Sequence, residues 1–288
     1  MKIYAYQVKR ISKSIPLLET VLDKIYSERR LNKREKTISK SLVRVENIKK
    51  NDDGIWLIDF VKDRKGGGPG KAGKNKKVEG FTFERGDFFA EETAALFIPK
   101  SNFILIQFNQ NGVRAPTIAK YLSIFGEEYD NAYEFLPKLD ADSERRLRNK
   151  TIVRKVSMGV CLSKVTDADR DYGEPLSKVI AFGRHFGDYH IKVEASVGDA
   201  SKKAKLSKPF EFIESARSFF SRNQEAVTNF EISGKDNEDS KVEMIDLVAQ
   251  RLTVDIDIKP RLTDLRLSMD DRWQALIRAM NGWRDVLK

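Results

Sequence analysis

Apolar and polar positions along this chain recur with two periods, one near two residues and one near 3.6, and the switches between them mark out the elements. Residues 3–8 (IYAYQV) have strand composition and open the fold. From 15 to 26 the apolar positions Ile15, Leu18, Leu22 and Ile25 share one helical face, with Ser14 and Pro16 as start signals. Residues 42–45 and 55–61 (IWLIDFV) read as strands. Between them Asn51-Asp52-Asp53-Gly54 reads as a hairpin turn, because Asp-Gly tolerates positive φ. A second hairpin joins 93–98 to 103–108 through Pro99-Lys100-Ser101-Asn102, and a helix is expected over 117–125 with Pro116 in its first turn.

Residues 133–139 read as another strand and 141–148 as a short helix. At Lys150 clustered charge gives way to a long β-type run, 151–160, which places a boundary between an N-terminal domain, 1–149, and a C-terminal domain, 150–288. Within the second, 188–197 alternates His190, Lys192 and Glu194 with Ile191, Val193 and Ala195. Residues 210–222 carry the helical stripe Phe212, Ile213, Ala216, Phe219 and Phe220. Strands at 230–232 and 242–247 flank the acidic turn 235–239, and 252–258 alternates cleanly. The closing helix, 269–287, carries Trp273, Leu276, Ile277, Met280 and Trp283. Its two tryptophans lie about 80° apart around the helix, one toward the core and one toward a partner. The expectation is an α+β fold: mixed or antiparallel sheets with flanking helices, in two subdomains joined by a hinge.

Composition narrows this picture. Apolar residues form 40% of the 288, enough for a core, and 53 basic against 43 acidic residues leave a net charge of +10, which favours polyanions without choosing among them. A single cysteine excludes a disulfide framework or a multi-cysteine zinc site. Its setting, Val160-Cys161-Leu162, reads as a small buried hydrophobe. MKIYAYQVKR has charges where a signal peptide needs an apolar stretch, and no apolar run approaches the ~20 residues of a membrane span, so a cytoplasmic protein is expected.

Charge placement says more than charge total. Residues 62–77, KDRKGGGPGKAGKNKK, hold seven cations, one acid and five glycines, with no apolar side chain larger than Ala72. The expectation is a mobile basic loop, spanning 62–79, that finds order on something negative. A second cluster comprises Arg145, Arg146, Arg148, Lys150, Arg154 and Lys155, and a third Lys202, Lys203, Lys205 and Lys208. Lysine-rich flexible segments suit phosphate contact, and arginine adds bidentate geometry. Lys65, Lys71, Lys74, Lys76, Lys77, Arg145, Arg146, Arg148, Lys202 and Lys203 are the candidate nucleic-acid contacts; a solvated charged surface is the alternative. Phe81, Phe83, Phe88 and Phe89 follow the loop and could stack on bases, but the alternation at 81 and 83 points to burial. Zinc-finger, helix-turn-helix, RNP-type and KH-type signatures are absent from the sequence, so contact is expected with the backbone rather than with base edges.

Catalytic signals are thinner, and neither cofactor nor metal is expected. Asp255, Asp257 and Lys259 share one face of a strand, an arrangement that Mg²⁺-dependent nucleases use; a solvated strand face is the alternative. Asp167, Asp169 and Asp171 have the spacing of a calcium loop, but Tyr172 and Lys178 stand where glycine and glutamate belong. His185 and His190 are too few for a metal site, and the segment 66–71 lacks the closing GK[ST] of a phosphate-binding loop. The third reading is a protein-interaction module, with the basic arm docking an acidic partner.

The block 94–98, 103–108 and 116–125, the strand-rich stretch 151–160, and the closing acidic turn, strand and helix resemble in their order the RexA-like phage-exclusion proteins. More distantly, that order is similar to the KwaB-type DNA-binding subunit of the Kiwa defence system. The resemblance implies a non-enzymatic homodimer that binds duplex DNA through a basic cleft with little sequence preference, in phage exclusion or defence, with a further protein partner there. It carries no individual binding residue to this sequence, and the basic glycine loop has no counterpart in that pattern.

Overall fold

A computed structural model describes residues 1–38, 40–64, 68–126, 132–165, 178, 182, 190–197, 206 and 209–288. In chain order the elements are β1 (Lys2–Arg10), α1 (Leu18–Ser27), α2 (Leu31–Arg34), β2 (Lys36–Ile38), β3 (Ser41–Lys50), β4 (Trp56–Asp63), β5 (Lys71–Gly73), β6 (Lys76–Glu79), β7 (Ala90–Ile98), β8 (Phe103–Gln107) and α3 (Ala115–Phe125). There follow β9 (Tyr133–Pro137), α4 (Ala141–Asn149), β10 (Ile152–Cys161), β11 (His190–Ser196), α5 (Pro209–Arg222), β12 (Val227–Lys235), β13 (Glu243–Asp246), β14 (Thr253–Asp255) and α6 (Met269–Gly282). The fold is α+β, with antiparallel sheets and flanking helices. Among the described residues no helix is long and apolar enough to cross a membrane.

Contacts divide the chain into two units: Met1–Ile3, Arg10–Tyr133 and Val254–Leu287 in the first, Tyr4–Lys9, Glu134–Thr253 and Lys288 in the second. The expected boundary at 149/150 therefore falls inside the second unit, between α4 and β10, and the closing helix belongs to the first. A sequence break marks a change of element, whereas a unit is set by which faces pack, and α6 packs on β7 and β8.

In the first unit β8, β7, β4, β3 and β2 pair antiparallel in that order. Trp56, Leu57, Ile58, Phe60 and Val61 of the central β4 are all buried. A strand covered on both faces reads as an unbroken apolar run, as here. Both expected hairpins form. Asn51 Oδ1 accepts the Ile55 N–H at 2.8 Å and Gly54 sits at φ +78°; in the second turn Asn102 sits at φ +54°. Helix α1 buries Leu18, Val21, Leu22 and Ile25, but starts three residues later than expected, beyond Pro16. Tyr121 of α3 donates its hydroxyl to Arg34 O at 2.5 Å and accepts the Val45 N–H at 3.3 Å. Helix α6, capped by Ser268 Oγ on the Asp271 N–H at 3.1 Å, buries Trp273, Leu276 and Ala279 and ends at Gly282, short of the expected 287. Trp283 is half-buried.

In the second unit the order is β11–β10–β12–β13, with Val156 opposite both Ala195 and Ile232. Val156, Met158, Val160, Phe230 and Ile232 form a core with Ile213, Ala216, Phe219 and Phe220 of α5. His190, Lys192 and Glu194 are exposed on β11, matching the sequence alternation. Cys161 is only half-buried, with Sγ 3.3 Å from Ser163 Oγ, rather than the buried hydrophobe expected. It lies at the last position of β10, where the sheet face ends.

Candidate nucleic-acid interface

The basic glycine segment contains more order than its composition suggests. Its chain leaves β4 and returns through the two-stranded hairpin β5–β6, turning at Lys74-Asn75. Cα partners are Lys71 with Glu79 and Gly73 with Lys76. The glycines serve close packing here as well as freedom. A Cβ at Gly68 would lie 1.8 Å from the Phe89 ring, and one at Gly70 would lie 2.3 Å from Val78 Cγ1. Phe89 is itself tied down, its carbonyl accepting the Arg64 N–H at 2.7 Å. So the expectation that nothing packs in this segment is corrected: aromatic and valine side chains from beyond residue 77 pack against its glycines.

Lys71, Lys74, Lys76 and Lys77 are all exposed on this hairpin, and none forms an ion pair among the described residues. Glu79, opposite Lys71, leaves it unpaired. Arg85, which the sequence reading passed over, is likewise exposed and free of ion pairs among the described residues. It sits between Phe83 and Phe88, beside the turn in which Asp87 Oδ2 accepts the Glu84 N–H at 2.9 Å. The expected burial of the phenylalanines fails at two positions: Phe81 is 51% and Phe83 42% exposed, while Phe88 and Phe89 are half-buried. Strand-like alternation predicts a shared face, and the face here is a patch on Phe89 rather than the core.

The second cluster is organised differently. Arg145 pairs with Asp142 at 2.5 Å, Arg146 with Glu243 at 2.6 Å, Arg148 with Glu144 at 3.8 Å and Lys155 with Glu194 at 2.9 Å. Lys150 is buried, 2.5 Å from both Asp236 and Glu243. Hydrogen bonds from Lys150 hold the Glu243 carboxyl below its ordinary range. Burial works against the charge on Lys150, but its two carboxylate partners outweigh this and push its pKa up. Arg145, Arg146 and Arg148 thus face carboxylates of their own unit, and Glu243, which meets Arg146, comes from 97 residues later in the chain. Lys65, Lys202 and Lys203 lie outside the described residues, as do Lys205, Lys208, Asp167, Asp169, Asp171 and His185.

Asp255, Asp257 and Lys259 are exposed and alternate with half-buried Val254, Ile256 and Ile258, the pattern of a solvated strand face. The regular strand stops at Asp255. Among the described residues no group of three or more histidine, cysteine or acidic side chains is placed to hold a metal ion.

The buried charge in the first unit escaped the sequence reading. Asp59 and Arg272, 1% and 2% exposed, pair at 2.8 Å. Arg272 also meets Glu92 at 3.1 Å, and Arg266 meets Glu92 at 2.5 Å. Burial pushes the Asp59 carboxyl up to about 7, against the pull of Arg272. Asp59 Oδ1 and Arg272 Nε have no hydrogen-bond partner among the described residues. The network joins β4, β7 and the start of α6, with Trp273 Nε1 donating to Ile58 O at 3.4 Å beside it. Its sequence signal was a carboxylate inside the apolar run IWLIDFV.

The chain belongs to a family of unknown function, DUF6731, whose model matches residues 6–277. No curated protein matches it.

Proposed function

We propose that this protein binds nucleic acid through backbone phosphates, using the β5–β6 arm as its principal contact surface. The observation that carries the reading is the set of four exposed lysines on one short hairpin, all without a carboxylate partner among the described residues. An unpaired ammonium in water gives up little to meet a phosphate, while a cation already held by a carboxylate must exchange partners. The arginines of α4 are therefore secondary contributors in this reading. Duplex DNA without sequence preference is the substrate that the resemblance to RexA-like proteins implies, and a homodimer working in phage exclusion belongs to the same proposal. A non-enzymatic role fits the solvated setting of Asp255 and Asp257.

The test compares binding of a labelled ~30 base-pair duplex by the wild-type chain and by a variant with Lys71, Lys74, Lys76 and Lys77 changed to serine, at low salt. Loss of most affinity in the variant supports the arm as the contact surface. Equal affinity removes the arm from the interface, and no binding by either protein removes nucleic acid as the partner, leaving the arm to dock an acidic protein.

A further inference from the structure

Phosphate contact accounts for the lysines of the arm but not for its aromatic side chains. Large apolar side chains are usually buried, so two half-exposed phenylalanines on a cationic arm need a reason. Both rest edge-on against Phe89: Phe81 with centroids 5.7 Å apart and planes at 83°, Phe83 at 4.6 Å and 74°. Phe89 is buttressed in turn by the backbone at Gly68 and by the Arg64 N–H on its carbonyl. The two rings are thus supported from beneath and open to solvent above.

We propose that Phe81 and Phe83 form a stacking platform for unpaired bases, so that the preferred ligand of the arm is single-stranded nucleic acid. The proposal rests on the phosphate reading above and puts a single strand in place of the duplex as the preferred substrate. Single-strand binders without sequence preference combine cations that follow the backbone with aromatic rings on which bases stack. Both are present here within a short reach. Phe81 is four residues from Lys77, at most about 14 Å along an extended chain. At about 3.4 Å per stacked nucleotide that distance covers roughly four nucleotides. Arg85, between the rings and the return to β7, adds a cation on the other side. In a duplex the bases are already paired and stacked, and the rings gain nothing from them. The flanking lysines make a polyanion a better occupant of this patch than an apolar protein surface.

Anisotropy of the full chain with a labelled oligothymidylate of ~20 nucleotides, beside a duplex and an abasic strand with the same number of phosphates, tests the idea. The expected result is at least tenfold tighter binding to the thymidine strand than to either comparator. Phe81→Ala and Phe83→Ala should each weaken strand binding by about five- to a hundredfold, leave duplex binding unchanged, and be rescued by tryptophan at the same position. Equal affinity of the wild-type chain for the thymidine and abasic strands overturns the proposal without depending on any variant. Tighter duplex binding that is sensitive to Phe83→Ala also overturns it, in favour of an aromatic wedge. In both of these cases the phosphate reading stands, whereas no binding to any of the three removes both.

Discussion

Asp59 is the residue whose environment differs most from what its neighbours in sequence announce. A carboxylate at 1% exposure is retained because Arg272 meets it at 2.8 Å, yet desolvation still dominates its protonation. Its ordinary value is 3.8 and its value in the fold about 7, so the folded state keeps the proton to higher pH than the unfolded chain does. Stability from this group is fully present below about pH 4 and is lost as the pH rises to about 7. Chemical denaturation across that window should show the decline in the wild-type chain and a flatter profile in Asp59→Asn. Arg272→Met should destabilise by about 3–5 kcal/mol, since it leaves a buried carboxylate without its partner. Asp59→Leu combined with Arg272→Met should be milder than Arg272→Met alone, because no unpaired charge remains. An additive double variant would show that the two do not act as a pair.

Among the elements, the β5–β6 hairpin depends on glycines that allow close approach. Gly68→Ala places a methyl inside the Phe89 ring and should loosen the arm, while Gly80→Ala, with nothing within 4 Å of the added carbon, should be tolerated. Limited proteolysis in the 68–89 segment should be several-fold faster in the first variant than in the second, with global unfolding little changed in both, because few buried contacts hold the arm. Equal cleavage rates would mean that the hairpin does not rely on this packing. The elements differ in how far the sequence showed them. The two long hairpins were readable because Asp53-Gly54 and 99–102 carry turn chemistry and their flanks are apolar. β5–β6 was hidden because its strands are rich in lysine and glycine, with Val78 their one large apolar side chain, and further support comes from Phe89 beyond them. The pairing of Arg146 and Lys150 with Glu243 was equally hidden, since the partners lie 97 and 93 residues apart.

For the whole molecule, a net charge of +10 says only that polyanions are favoured, and the structure refines where that charge is free. On the arm it is exposed and unpaired among the described residues; on α4 it faces Asp142, Glu144 and Glu243. The sequence ranked these clusters as equivalents because runs of basic residues look alike until their partners are placed. The family match adds membership without an activity. Binding through the arm has a quantitative signature in salt, since each phosphate contact releases condensed counterions.

The most direct test is therefore the slope of log affinity against log salt for the wild-type chain, for the four-lysine arm variant and for Arg145→Gln/Arg146→Gln/Arg148→Gln, on one duplex. The arm variant should lose about 0.9 from the slope for each contact removed, up to about 3.6, while the α4 variant keeps a slope close to wild type. A slope unchanged in the arm variant, or lost instead in the α4 variant, would contradict the arm as the phosphate-binding surface.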